Sequence, residues 1–137
     1  MIAVFILYTL YFALYTLGFS KMHDNELCDR LFNFSVEVLK FLKTIRSTQE
    51  NNILKFQLAK SATSCGANYE ESQGACSTAD FTNKVRISLK EIREANYWLR
   101  IIDKIDIADA GKTKILLNES AELKSILGAI CSKVRRK

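Results

Sequence analysis

The chain has 137 residues, 48% of them hydrophobic, which suits one domain with a single buried core. It contains no proline and only five glycines, and no strand-like alternation bounded by turn pairs appears, which argues for an all-α protein. The formal net charge of +5 favours acidic partners, but only weakly, because fifteen acidic residues are interspersed with the twenty basic ones.

Residues 1–21 form a hydrophobic N-terminal segment with no charged side chain before Lys21. Three interpretations compete. The segment is about long enough for a transmembrane anchor, which needs roughly 20 apolar residues. As a secretory signal it lacks a basic start, although Gly18-Phe19-Ser20 is an acceptable cleavage site. A start codon assigned too early is the third, with translation beginning at Met22. We expect a cytoplasmic protein, or a membrane-anchored one if residues 1–21 are translated.

Residues 22–137 are predicted to form four helices, of which the first extends from about Asp24 to about Arg46. Its apolar residues recur at helical spacing: Leu27, Leu31, Phe34, Val38, Phe41, Leu42 and Ile45. The second helix begins at Ser47-Thr48-Gln49-Glu50, where the serine and the glutamate form a predicted capping box. It continues to about Gly74, a residue that can end a helix.

The second helix carries an unusual row of small, apolar and polar residues at steps of three and four. This row contains Leu54, Leu58, Ala62, Cys65, Tyr69, Ser72 and Cys76. Buried polar groups need internal partners. We therefore expect a buried polar core of Ser64, Asn68 and Glu71 with Ser88 of the third helix.

The third helix, from about Thr78 to about Asp103, separates into three rows at about 100° per residue. The row facing the core contains Phe81, Val85, Ser88, Ile92, Ala95 and Leu99. The opposite row carries five cations around one tyrosine: Arg86, Lys90, Arg93, Tyr97, Arg100 and Lys104. This row is a candidate nucleic-acid surface. The alternative is an ordinary solvated face, supported by the spacing of Lys90 and Glu94.

Ile87 and Trp98 belong to a third row of that helix, beside Glu91 and Glu94. Large apolar side chains outside the core indicate an interface, so these two are candidates for an oligomer contact. Asp106–Lys112 is predicted as a loop, and a fourth helix covers about Thr113 to Val134. Its apolar seam contains Leu116, Leu123, Leu127, Ile130 and Val134.

The chain ends in a basic tail in which Arg135 and Arg136 are further candidates for nucleic-acid contacts. The alternative is that these cations only complement the negative end of a helix dipole. Catalytic motifs are absent from the sequence: there is no glycine-rich phosphate loop, no G-x-S-x-G turn and no C-x-x-C pair, and His23 is the only histidine. We expect neither an enzyme nor a bound cofactor or metal.

The second and third helices also contain separated pieces of one family signature. Residues 66–75 read GANYEESQGA, Ser77, Asp80 and Phe81 follow, and ISLKE and EANYWL stand at residues 87–91 and 94–99. Over roughly Asp24 to Val134 the chain resembles the four-helix-bundle family found in intervening sequences of 23S ribosomal RNA genes. That resemblance implies an antiparallel up-down bundle, a pentameric ring, and a basic surface that contacts nucleic acid. A similar bundle is the accessory protein of diversity-generating retroelements, where it is associated with RNA and a reverse transcriptase.

Two functions remain open. The first is a homo-oligomeric scaffold that binds RNA or DNA through the third helix and the basic tail. The second is a structural or protein-interaction module, membrane-tethered if residues 1–21 are translated, whose positive charge serves solubility. The first predicts binding that weakens steeply with salt, because phosphate contacts release counterions.

Overall fold

Four α-helices account for nearly all of residues 26–135, the part of the chain that the computed structural model describes. The hydrophobic segment 1–21 and Arg136 lie outside this part, and Arg135 is described by its backbone alone. The described part of α1 covers residues 26–44. No strand occurs among residues 26–135. The other helices are α2 (Gln49–Ser72), α3 (Thr78–Ile105) and α4 (Ala110–Arg135). The all-α prediction with four helices is therefore confirmed.

The chain divides into two units, Met1–Arg30 and Leu31–Lys137, and the helix packing described below lies within the second. Every apolar residue predicted for the buried row of α1 is buried, including Leu27 of the first unit. The second unit buries Leu58, Ala62, Cys65 and Tyr69 of α2, Val85, Leu89, Ile92, Ala95, Leu99 and Ile102 of α3, and Leu116, Leu123 and Leu127 of α4.

Five predicted core positions are less buried than expected. Cys76 is exposed, and four others are half-buried: Leu54, Phe81, Ile130 and Val134. All five lie within about two turns of a helix end, or just beyond one, where fewer neighbouring side chains surround them. The apolar pattern therefore locates the middle of each helix correctly and overestimates burial at its ends.

The link between α2 and α3 is short because the caps of both helices lie close together. Ser77 caps α3 by accepting a hydrogen bond from the Asp80 amide at 3.1 Å, and the Asp80 carboxylate accepts one from the Cys76 amide at 3.2 Å. The Gly74 amide donates to the Glu71 carbonyl at 3.2 Å, and no glycine among residues 26–135 adopts a left-handed conformation. Helix α2 thus ends without the predicted glycine cap.

Two other helix boundaries differ from the sequence-based prediction. The N-cap of α2 is Thr48, whose hydroxyl accepts from the Asn51 amide at 3.1 Å. The Ser47 hydroxyl accepts instead from the Lys55 ammonium at 3.4 Å, so the predicted capping box at Ser47 is wrong by one residue. Helix α4 begins at Ala110, three residues before the predicted start at Thr113, because Asp109 caps it. The Asp109 carboxylate accepts a hydrogen bond from the Lys112 amide at 2.7 Å.

Helices α1 and α2 pack closely and run antiparallel. The Ser35 hydroxyl donates to the Ala62 carbonyl at 2.9 Å, and the Lys55 ammonium donates to the Ile45 carbonyl at 3.1 Å. Residue numbers therefore rise along α1 as they fall along α2. Gly66 lies at this contact, where an added Cβ would be 3.4 Å from the Leu31 carbonyl oxygen, at the limit of ordinary van der Waals contact.

Contacts of α3 with its two neighbours follow the same antiparallel order. Ser88 of α3 is hydrogen-bonded to Cys65 in the buried part of the α2–α3 contact. Lys84 of α3 forms an ion pair with Glu71, near the C-terminal end of α2. On the other side, the Asn96 amide donates to the Ser120 hydroxyl of α4 at 2.8 Å, and Cys131 near the end of α4 lies within electrostatic range of Arg86 near the start of α3. Consecutive helices of this unit thus alternate in direction, and α3 lies between α2 and α4. Within residues 26–135, none of the helices is long and apolar enough to cross a membrane.

Candidate nucleic-acid interface

The outer side of α3 carries the basic row that the sequence predicts. All six side chains are exposed, and they form two lines with a spacing of seven residues: Arg86, Arg93 and Arg100, and Lys90, Tyr97 and Lys104. Seven residues are about two helical turns, or about 10 Å of rise, so each line runs along the helix axis. We call these six residues the basic face.

The five cations of the basic face are not neutralised by neighbouring carboxylates. Among residues 26–135, none of them forms an ion pair within 4.0 Å. The expected partner of Lys90 was Glu94, but the Glu94 carboxylate accepts a hydrogen bond from the Trp98 indole at 3.2 Å. The alternative of a solvated face held by Lys90 and Glu94 therefore loses its specific support.

Tyr97 is the aromatic residue of the basic face, and its ring is held from two sides. The Arg100 guanidinium carbon lies 5.8 Å from the ring centroid, a cation–π distance. The Trp98 ring meets it edge-on, with centroids 5.0 Å apart and an interplanar angle of 73°. The Tyr97 side chain is 49% exposed, so part of a positioned ring is open to a ligand.

The candidates for an oligomer contact, Ile87 and Trp98, are both half-buried. The large apolar side chains that are most exposed lie elsewhere in the described chain: Phe32, Leu39, Ile53, Phe56, Ile105 and Ile115. Phe32 on α1 and Phe56 on α2 are each 66% exposed. Sequence reasoning missed both. Phe56 falls outside the buried row of its helix, and that position could have identified it.

Helix α4 borders the basic face and adds residues that sequence reasoning also missed. A groove of about 490 Å³ is lined by Arg93, Asn96, Arg100, Lys124 and Ser125. Lys124 and Ser125 belong to α4. Their position opposite the arginines depends on the register between α3 and α4, which no single-helix pattern reveals.

Cys131 of α4 lies near two arginines of the basic face. Burial raises the pKa of its thiol, and the positive charges of Arg86 and Arg93 partly oppose that rise. Two arginines of the basic face therefore lie within electrostatic range of α4, about two turns apart along α3.

Of the four residues predicted for the polar core, Ser88 alone is buried. This side chain is fully buried, and its hydroxyl donates to the Cys65 carbonyl at 2.7 Å, with the Cys65 sulfur at 3.3 Å. The other buried polar residues of the second unit are Ser61, Ser72, Asn96, Thr113 and Ser120. Among residues 26–135, no buried side-chain nitrogen or oxygen lacks a hydrogen-bond partner.

Glu71 does not belong to this core, so that part of the prediction is wrong. Its side chain is 57% exposed, and its carboxylate pairs with the Lys84 ammonium. That hydrogen bond and the negative charge raise the pKa of Lys84. The buried row of α2 continues through Tyr69 and Ser72, which turns Glu71 outward.

Asn68 and Ser64 are half-buried, and the Asn68 amide donates to the Ser64 carbonyl at 2.9 Å within α2. Neither therefore forms the predicted link from α2 to another helix. No group of three or more His, Cys, Asp or Glu side chains in the described residues is arranged to hold a metal ion.

The protein is therefore a small all-α protein whose consecutive helices run antiparallel. Its core contains buried hydroxyl groups, and one helix carries a cationic surface without ion pairs among residues 26–135. The chain belongs to the 23S rRNA-intervening sequence protein family, whose model matches residues 23–129. The family resemblance read from the signature is thus confirmed.

A solved structure from Bacteroides thetaiotaomicron is similar to this chain. It is described as a protein of unknown function from the S23 ribosomal protein family. The two are 31% identical, with a TM-score of 0.71, and the match covers 77% of this chain and 97% of that one. No curated protein matches the sequence.

Proposed function

We propose that this protein is a non-enzymatic, homo-oligomeric up-down helical bundle that binds RNA or DNA through the basic face of α3. The observation that carries the proposal is the set of five exposed cations on one helical face, without ion pairs among residues 26–135. Phosphate backbones are recognised by such clusters of Lys and Arg. Arg135 and Arg136 of the tail extend the proposal to a second contact.

One subunit offers about five phosphate contacts, which suits weak and non-specific binding. A ring of subunits, with the pentamer as the expected form, repeats the basic face. Once one subunit has bound a strand, the others meet the same strand at a high effective concentration. We therefore expect affinity to come from repetition and sequence preference to be small, because phosphate contacts carry no base information.

The test is a titration of the full chain with RNA and DNA oligonucleotides at about 50 and 200 mM salt. For a single strand, five contacts predict a slope of log K against log salt of about −3.5 per subunit. Changing Arg86, Arg93 and Arg100 together to Gln should reduce that slope by about 2. The matched control removes the same charge elsewhere, by changing Lys43, Lys60 and Lys114 to Gln, three exposed residues on α1, α2 and α4.

Two outcomes would remove the basic face from consideration. One is an absence of binding at low salt by the parent chain. The other is an equal loss of affinity in the two triple variants, since that would mean that only net charge matters. Circular dichroism of both variants verifies that the helices are intact.

A second function, a protein-interaction module without nucleic-acid binding, is favoured by the exposed apolar residues of α1 and α2. Phe32 and Leu39 lie seven residues apart on α1, and Ile53 and Phe56 lie one turn apart on α2. We propose a second copy of this chain as their partner, because the family resemblance implies self-assembly. Self-association through these residues is also compatible with nucleic-acid binding, since they and the basic face lie on different helices.

A further inference from the structure

The groove between α3 and α4 has the composition of an anion site. Three of its five lining residues are cations, Arg93, Arg100 and Lys124, and none is acidic. The groove has a volume of about 490 Å³ and is largely open to solvent. Because the cations come from two helices, an anion in the groove would be contacted from both sides.

The α4 side of the groove leaves room for a nucleic-acid backbone. Ser125 belongs to a row of small residues at steps of four, three and four along α4: Ala121, Ser125, Gly128 and Ser132. A Cβ added at Gly128 would meet no atom within 4 Å, so this position is open. Gly128 lies one turn beyond Lys124 on the same side of α4. Small side chains next to cations let a phosphate backbone approach closely.

Tyr97 places an aromatic surface beside the same groove. The Arg100 guanidinium both lines the groove and lies 5.8 Å from the Tyr97 ring centroid. A nucleotide has a phosphate and a flat base a few ångströms apart, which matches an anion site next to an exposed ring. A phosphate alone would leave the ring unused.

We propose that this groove holds the phosphate backbone of a single-stranded nucleic acid, with Arg93, Arg100 and Lys124, while a neighbouring base stacks on Tyr97. The inference rests on the proposed function and adds to it the kind of strand and the contribution of α4. A base can stack on a side chain only if it is unpaired, so the ring selects single strands. Charge alone makes the opposite prediction, because a duplex has the higher charge density and the steeper salt dependence.

The first experiment compares one fluorescently labelled RNA strand, alone and annealed to its complement, by anisotropy with the full chain. We expect the single strand to bind more tightly. Tyr97→Leu should weaken single-strand binding by roughly fivefold to 150-fold, the range for loss of one stacked base, and leave duplex binding nearly unchanged. Tyr97→Phe keeps the ring and should retain the preference for the single strand.

The second experiment isolates the contribution of α4. Lys124→Gln should reduce the salt slope for the single strand by about 0.7, the value for one phosphate contact. Lys114→Gln removes the same charge from an exposed position of the same helix and should leave the slope unchanged. Gly128→Glu should weaken binding because it brings a negative charge next to Lys124. Its neutral match, Gly128→Gln, tests whether size alone has this effect.

The outcomes separate the inference from the function on which it rests. If single strand and duplex bind equally, and Lys124→Gln behaves like Lys114→Gln, the groove is not the site, although nucleic-acid binding stands. If no oligonucleotide binds at low salt, both are wrong. Vesicles containing phosphatidylglycerol serve as a further arm. If they bind as well as RNA, with the same dependence on Lys124, the groove recognises lipid phosphate and the single-strand inference is overturned.

Discussion

At the scale of single residues, the best-defined polar contact joins Ser88 of α3 to Cys65 of α2. Both side chains are fully buried, and the Ser88 hydroxyl donates to the Cys65 carbonyl at 2.7 Å. Burial raises the pKa of the Cys65 thiol from 9.0 to about 12, and the hydrogen bond with Ser88 opposes this rise in part. A thiol in such a site stays protonated and behaves as a small apolar group.

This pKa predicts how stability changes in alkaline solution. Above pH 9 the unfolded chain releases the Cys65 proton while the folded chain keeps it, so ionisation favours unfolding. The stabilising contribution of the protonated thiol is complete below pH 9 and is lost as the pH rises towards about 12. At about pH 10.5 the loss should be about 2 kcal/mol.

Urea unfolding at about pH 8 and about pH 10.5 measures the effect. Cys65→Ala should lose less stability between these two values than the parent chain, because its unfolded state has no thiol to ionise at this position. Cys76→Ala, which removes an exposed thiol, should lose as much as the parent. If the three proteins showed the same pH dependence, Cys65 would not be held protonated.

At the scale of helices, the start of α4 depends on one cap. The Asp109 carboxylate accepts from the Lys112 amide at 2.7 Å, and the Asp109 carbonyl accepts from the Thr113 amide and the Thr113 hydroxyl. This cap holds Gly111 inside the first turn, although glycine is a poor helix former. Thr113 is itself buried, so the cap also positions a core residue.

Asp109→Ala should therefore destabilise the protein by about 1 kcal/mol, the usual effect of removing an N-cap side chain. Asp109→Asn should recover most of that loss, since asparagine also accepts from the backbone amide. Urea denaturation of the two variants beside the parent provides the measurement. Equal stability of Asp109→Ala and the parent would mean that the first turn of α4 does not need its cap.

The caps also mark how far the sequence predicts the fold. The apolar rows of α1 and α3 follow from residue spacing alone, because a buried row needs only a helical period. The sequence predicts a start of α4 that is three residues too late, because Gly111 is typical of a loop and the Asp109 cap outweighs it. The register between helices cannot be read from one helix at a time. Lys124 was therefore missing from the predicted surface, and Glu71 was assigned to the core.

At the scale of the whole molecule, the basic face and the two most exposed phenylalanines of residues 26–135 lie on different helices. The basic face lies on α3, whereas Phe32 and Phe56 lie on α1 and α2. Self-assembly through the apolar residues would thus leave the basic face of each subunit open. In an assembly of this kind, the number of cations available to one strand increases with the number of subunits.

We expect light scattering to find an oligomer, with five subunits as the expected number, at tens of micromolar full chain. Changing Phe32 and Phe56 together to Ser should shift it toward smaller species, because both side chains are mostly exposed and their loss leaves the core intact. Trp98→Ala tests the contact predicted from sequence. Lys43→Gln, on an exposed polar position of α1, is the control. A monomeric parent would contradict the assembly.

The short links between helices have a consequence for how the chain acquires its structure. Residues 73–77 join α2 to α3, and residues 106–109 join α3 to α4. The hydrogen bonds that connect consecutive helices span 10 to 27 residues. Contacts so close in sequence give a low contact order, which accompanies folding in microseconds to milliseconds. During synthesis, each of these helices can pack against the preceding one soon after it emerges from the ribosome, before the following one has emerged.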